Sequence, residues 1–299
     1  MRSVPLTRRG VALAGLATAG LLAIGGSAGQ AADPFVAGGR STRPLPAAAD
    51  ELARARARSQ AVAAALGLPG VSQRVERLDD AFEHRTYDEV TSADAAGREV
   101  AITRLGLDGS VAMAVSLGWH PAGGRALDAP AAAKRAVALA RAAGLGPSGA
   151  PSVRASAGAG GWSIVWPRIV DGVPVRGDGL RIALWPDGAF HGLTRTERPL
   201  APPPPRSLGA DAARSAATSV VSARFGGSSG DLHAVAAERV WVAPNDMLGA
   251  ARLDAPAATL RLAWAVRFDA QGALAERLRS IEVWVDAGDG HALGGDVME

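Results

Sequence analysis

The first candidates for chemistry are the five histidines, His84, His120, His191, His233 and His291. A helical zinc hydrolase needs two His four residues apart with a Glu between them, so that both imidazoles leave one helix face. None of the five has a second His at that spacing, and Glu83-His84 is a chance neighbour pair, so no metal site is expected. Gly226-Gly-Ser228-Ser-Gly230 matches the Gly-x-Ser-x-Gly form of a nucleophile elbow. That elbow requires a strand before the serine and a helix after it. Here a helical run precedes and polar sequence follows, which predicts a flexible helix-to-strand connection. Asp79, Asp80, Glu83, Asp88 and Glu89 form an acidic cluster. Paired carboxylates do acid–base work only where an apolar pocket separates their pKa values. Arg74, Arg77 and Arg85 interleave with them, which predicts a solvated, salt-bridged surface. Asp286-Ala-Gly-Asp289-Gly290 lacks the further oxygen ligands of a calcium loop and is read as a turn. Gly158 to Gly161 precedes a strand rather than a helix, so it forms no phosphate cradle. With no cysteine there is no disulfide, no thiolate metal site and no Cys nucleophile. The expectation is a chain with no catalytic set and no cofactor.

Bulk composition narrows the partners. The formal charge is +3, but residues 1–31 hold Arg2, Arg8 and Arg9 and no acid. Taking those three from 32 basic residues leaves 29, against 29 acidic residues. A neutral remainder gives no electrostatic footprint for nucleic acid. The N-terminus has the parts of an export signal: Thr7-Arg8-Arg9, an uncharged run from Gly10 to Ala28, then small residues at Gly29-Gln30-Ala31. The Arg pair resembles a twin-arginine signal, although Phe and Lys are absent after it. Export with cleavage is expected, to an extracellular, periplasmic or cell-envelope location. No later segment is apolar enough to cross a membrane.

Residues 32–47 read as a linker. Ala48 to Leu66 reads as a helix, with Leu52, Ala55, Ser59, Val62 and Leu66 on one face and an Asp50–Arg54 pair four apart. Arg98 to Leu107 and Ser110 to Leu117 flank Asp108-Gly109 as a β-hairpin. Asp128 caps a second helix and Pro130 sits in its first turn, where no donor is needed. Strands follow at Trp162–Val170 and Leu180–Trp185. Trp162, Ile164 and Trp166 share one face, while Gly172, Pro174 and Gly177 shape the reversal. Ala201-Pro-Pro-Pro-Pro-Arg206 is a stiff spacer. A third helix opens at Gly209-Ala-Asp211, and strands are expected at Glu238–Val242, Leu262–Phe268 and Leu278–Val285.

Trp162 to His191 and Leu262 to Leu293 share an order: strand, turn, strand, Asp-Gly turn, return, each after an Ala-rich helix. Alternation puts Leu180, Ile182 and Leu184 on one face and Trp185 on the other; Trp284 likewise opposes Val283 and Val285. Two readings follow for these Trp: exposed contact residues, or rings covered by a second layer or neighbouring module.

Val283-Trp-Val-Asp286-Ala-Gly-Asp-Gly290-His-Ala-Leu293, with Leu262-Ala-Trp264-Ala-Val266 upstream, resembles the end and middle strand of a PepSY domain. Val165-Trp-Pro-Arg168-Ile-Val-Asp171-Gly172-Val-Pro174-Val-Arg-Gly177-Asp178 is similar to the propeptide module of thermolysin-type proteases. The two regions span residues 128–299. The resemblance implies an α+β fold of tandem modules, each a helix packed on a curled antiparallel β-sheet (PepSY/cystatin-like). The modules are expected at 128–200 and 207–299, joined by a Pro-rich linker at 201–206, with 48–120 a possible degenerate third. The resemblance also implies a role in restraining or assisting the folding of secreted proteases. The chain runs to Glu299 just after its last strand, so inhibition is expected to act in trans. The expectation is thus an exported, non-enzymatic binding protein whose partner is a secreted protease. The alternative is a cell-envelope component without a protease partner. Trp185, Trp284, Arg168 and Arg181 are the expected partner contacts, the Trp as apolar anchors and the Arg as charge-assisted donors.

Overall fold

A computed structural model describes residues 42–80, 85–118, 124–147, 149–156, 161–245, 259–276 and 278–298. The signal-like segment, most of the 32–47 linker, His84 and His120 lie outside the described residues. The first half builds on β1 (Thr42–Leu45), α1 (Ala49–Leu66), β2 (Ser72–Asp80), β3 (Arg85–Ala93), β4 (Glu99–Gly106) and β5 (Val111–Ser116). It continues through α2 (Ala129–Ala142), β6 (Ser152–Ala155), β7 (Trp162–Val170), β8 (Val173–Leu184) and β9 (Phe190–Thr196). The second half holds α3 (Ala210–Phe225), β10 (Leu232–Val242), β11 (Arg261–Ala270), β12 (Ser280–Asp286) and β13 (Ala292–Met298).

The expected tandem modules, each with its own sheet, are overturned. Thirteen strands join into one sheet, in the order β1-β2-β3-β4-β5-β9-β8-β10-β11-β12-β13, with β7 also on β8 and β6 on β7. Only the broad α+β description stands. The physical reason lies in β8, which is twelve residues long. Its C-terminal half, Gly179 to Leu184, pairs antiparallel with β9. Its N-terminal end reaches past β9, and there Val175 pairs in parallel with Trp241 of β10. One strand therefore belongs to both halves and leaves no sheet edge between them.

Local structure follows the apolar periodicity. The buried residues of α1 are Ala55, Ser59, Val62 and Leu66, one stripe at helical spacing. Asp50 and Arg54 pair at 2.7 Å. Asp128 accepts from the Ala131 N–H at 2.8 Å and so caps α2, whose first turn tolerates Pro130. Both helices share one core over the first half, with Leu105, Ile164, Trp166, Leu180, Ile182, Leu184 and Leu193 beneath them. Arg58 ties this layer together, donating to the carbonyls of Gly109 in the β4–β5 turn and Ala143 at the end of α2. Over the second half α3 buries Ala213, Ala217 and Val221 against Val266, Phe268, Ile281, Val283 and Val285.

One expectation is corrected here. The acidic cluster is salt-bridged but not solvated: Asp80 and Asp88 are buried within β2 and β3. Arg77 holds Asp88 at 2.8 Å and Glu51 of α1 at 2.9 Å, which pins the helix to the sheet. The Pro-rich spacer is docked at both ends. Ala201 donates to the Leu260 carbonyl and Leu208 to the Ala287 carbonyl. The Gly-x-Ser-x-Gly segment forms a 3-10 turn between α3 and β10, without the strand-before, helix-after order of an elbow.

Candidate functional site

Period-two alternation along β8 separates two populations of side chain. Leu180, Ile182 and Leu184 enter the core under α1 and α2. Arg181 and Ala183, and Trp185 just beyond the strand, take the opposite face, on which no described helix packs. Strand register extends Arg181 into a continuous row across that face: Glu89, Arg104, Met113, Thr194, Arg181 and Val165, one from each successive strand. At one end Arg104 donates from Nε to Glu89 at 2.9 Å and lies 4.4 Å over the ring of Tyr87, nearly closed from solvent. A guanidinium stacked on an aromatic face and held by a carboxylate is fixed in place.

The other end is more open. The Trp185 ring lies 4.3 Å from the ring of His191, tilted by 32°. The Asp187-Gly188 turn brings them together: Trp185 accepts from the Gly188 N–H, and Trp185 N–H bonds the Ala189 carbonyl. Gly188 there has a φ of 84°, the left-handed conformation such a turn needs. Trp185, His191 and Arg181 are all half-buried. Burial pushes the His191 imidazole below its ordinary value and the Arg181 guanidinium below its own. This end offers a ring with a polar edge beside a partly desolvated cation, the composition of a protein-contact surface.

Arg168 and Trp284 are placed elsewhere, at the joint between the halves. Gly177-Asp178-Gly179 lies in β8 between the pairings to β10 and β9, with φ of 76° at Gly177 and 128° at Gly179. The Asp178 carboxylate is wholly buried and takes Arg168 Nη1 at 3.1 Å, Arg198 Nε at 2.7 Å and the Arg198 N–H at 2.7 Å. Arg176 crosses to the second half, reaching Glu238 and Glu282 at 2.8 Å each. Trp284 donates its indole N–H to that same Glu282 at 2.7 Å. A small apolar cluster of Val175, Trp241, Leu260, Leu262 and Ala287 fills the joint. Sequence reasoning missed Asp178, Arg198 and Arg176 as a set. The available signal was an acidic residue between two glycines inside a strand, a position that favours neither solvent nor a regular ladder.

A cleft of about 730 Å³ opens between the Pro-rich segment and the last turn, lined by Pro202, Pro204, Arg206, Arg261, Asp286 and Asp289. Asp286 there is engaged by Arg261 at 2.6 Å and by the N–H groups of Gly288 and Asp289. This carboxylate holds the turn, as the sequence reading expected. Among the described residues no group of three or more His, Cys, Asp or Glu gathers to hold a metal. Among them, too, no helix is long and apolar enough to cross a membrane.

Neither a family model nor a curated protein sequence matches this chain. Among solved structures it is similar to the Bacillus megaterium YpeB C-terminal domain. The TM-score is 0.45 at 11% identity, covering 86% of this chain and 99% of that one.

Proposed function

We propose that this chain is an exported, non-enzymatic binding protein that acts in trans on a secreted protease, docking it on the helix-free face around Trp185 and Arg181. The observation that carries the reading is the Trp185–His191 ring contact at 4.3 Å on a face that no described helix covers, two strand positions beyond Ala183 and four beyond Arg181. Large rings held rigid at a half-buried position lose little freedom when a partner covers them, which is why Trp dominates interface energetics. The protease as partner rests on the sequence resemblance to a protease propeptide module.

The test is a pull-down from culture supernatant and envelope with residues 32–299 as bait, comparing native protein with W185A. Capture of a protease, its dose-dependent inhibition, and a roughly thirtyfold weaker W185A (about 2 kcal/mol) support the reading. Equal capture by a folded W185A removes this face. Recovery of wall components without a protease replaces the partner with an envelope component.

A further inference from the structure

The chain holds five Asp-Gly pairs, beginning at Asp108, Asp171, Asp178, Asp187 and Asp289. Such a pair can isomerise, because glycine has no side chain to shield its amide nitrogen from the carboxyl group before it. The nitrogen attacks Cγ, its proton and the carboxyl hydroxyl leave as water, and a five-membered succinimide forms. Water then opens the ring. Opening at Cγ restores aspartate; opening at the main-chain carbonyl routes the backbone through Cβ and Cγ, as isoaspartate. The mass is unchanged and water is the only co-reactant.

The fold restrains four of the five. Gly109, Gly188 and Gly290 donate their N–H groups to the carbonyls of Gly106, Trp185 and Asp286. The carboxylates of Asp108, Asp187 and Asp289 accept the backbone N–H groups of Ser110, Ala189 and His291. The Asp178 carboxylate is wholly buried under its three donors, and Gly179 lies tight against the Trp166 carbonyl. Asp171-Gly172 carries neither restraint. It is the two-residue turn between β7 and β8, closed by Val170 opposite Val173. Both residues are exposed, with φ of 51° and 76°, the pattern of a type I′ turn. Among the described residues the Asp171 carboxylate has no hydrogen bond or ion pair, and the Gly172 N–H has no acceptor. A Cβ on Gly172 would meet nothing within 4 Å, so a ring has room to form there.

We propose that Asp171 is the site at which the folded chain isomerises to isoaspartate, and that the product loosens the joint between the halves. Isoaspartate adds one atom to the main chain, and a two-residue turn has no slack to absorb it. Val170 and Val173, on either side, pack against the apolar cluster of Val175, Trp241 and Leu260 that fills the joint. The inference is independent of the Trp185 face.

The test ages the folded protein at mildly acidic pH, then reads isoaspartate at each Asp-Gly pair by digestion and electron-transfer mass spectrometry. Isoaspartate is expected at Asp171 about tenfold or more above Asp108, Asp187 and Asp289, since each of those must first give up the hydrogen bonds that hold it. The same chain aged in urea should isomerise at all five pairs at similar rates, which separates the fold from the sequence. The aged fraction enriched in isoaspartate at Asp171 should unfold at a lower urea concentration than fresh protein. Isoaspartate spread evenly over the turns of the folded protein, or greatest at another pair, overturns the site, as does the same preference for Asp171 in urea. An unshifted urea midpoint for the enriched fraction overturns the loosening of the joint.

Discussion

Asp178 and Arg198 form a double contact at the joint of the sheet: the carboxylate accepts both the backbone N–H and the Nε–H of Arg198, each at 2.7 Å. Arg168 adds a third donor, and the Asp178 side chain has no exposed surface. A buried charge held by three donors costs most when its neutralising group is removed, because the remaining charges stay behind. D178N keeps the shape and removes the charge, leaving two arginines opposed. The expected loss is about 3 kcal/mol, at the low end for broken buried pairs because both arginines are a quarter exposed. Urea unfolding measures it, and a loss under about 1 kcal/mol would mean the cluster does not hold the joint.

Gly179 offers a second test of the joint. A Cβ there would strike the carbonyl oxygen of Trp166 and the backbone of Arg168, and its φ of 128° excludes most L side chains. G179A should therefore cost about 3 kcal/mol from backbone strain and overpacking together. G172A, at a left-handed turn position with open space around its Cβ, should cost only about 1 kcal/mol. Equal thermal shifts for the two would show that the close approach to Trp166 is not tight.

Trp284 and Trp185 should separate by readout. Trp284 orients Glu282, which in turn receives Arg176 across the joint. W284F keeps most of the packing and loses one hydrogen bond to a charged group, worth about 1.5 kcal/mol of stability. W185A should change partner binding far more than unfolding. A W284F protein as stable as native would detach Trp284 from the joint.

The legible parts of the fold were those governed by local chemistry. The α1 stripe, the Asp50–Arg54 pair, the Asp128 cap and the Asp108-Gly109 hairpin all depend on residues within a few positions of one another. The β2–β3 hairpin was not legible, because its apolar residues are few and its charges cancel only across strands, as Arg77 does opposite Asp88. Nothing local distinguishes such a hairpin from a solvated charged loop. The single sheet was hidden for a related reason. The union rests on a parallel bridge between Val175 and Trp241, and parallel contacts leave no turn signal between the strands they join. Of the expected contacts, alternation placed Trp185 opposite Leu180, Ile182 and Leu184, and Trp284 opposite Val283 and Val285. It could not foresee that Arg168 would meet Asp178, ten residues away across a strand reversal, or that Glu282 beside Trp284 would take Arg176 from 106 residues away.

His191 supplies the pH-dependent prediction. Burial beside Trp185 disfavours the imidazolium, so the folded protein holds a His whose pKa lies below its unfolded value. Between those two values the unfolded chain binds more protons than the folded one, and stability must rise with pH. The contribution is fully present above the unfolded value of about 6.5 and is lost as the pH falls from there toward the folded value. Carboxylates also titrate on acidification, so the comparison must isolate one group. H191F keeps an aromatic ring against Trp185 and carries no proton. The difference in unfolding free energy between native protein and H191F, followed from pH 8 to pH 5, should be flat at the alkaline end. It should then turn against the native protein below about pH 6.5. Parallel curves across the range would mean that His191 is as well solvated in the fold as in the open chain, and the Trp185 surface would have to be wetter than its geometry indicates.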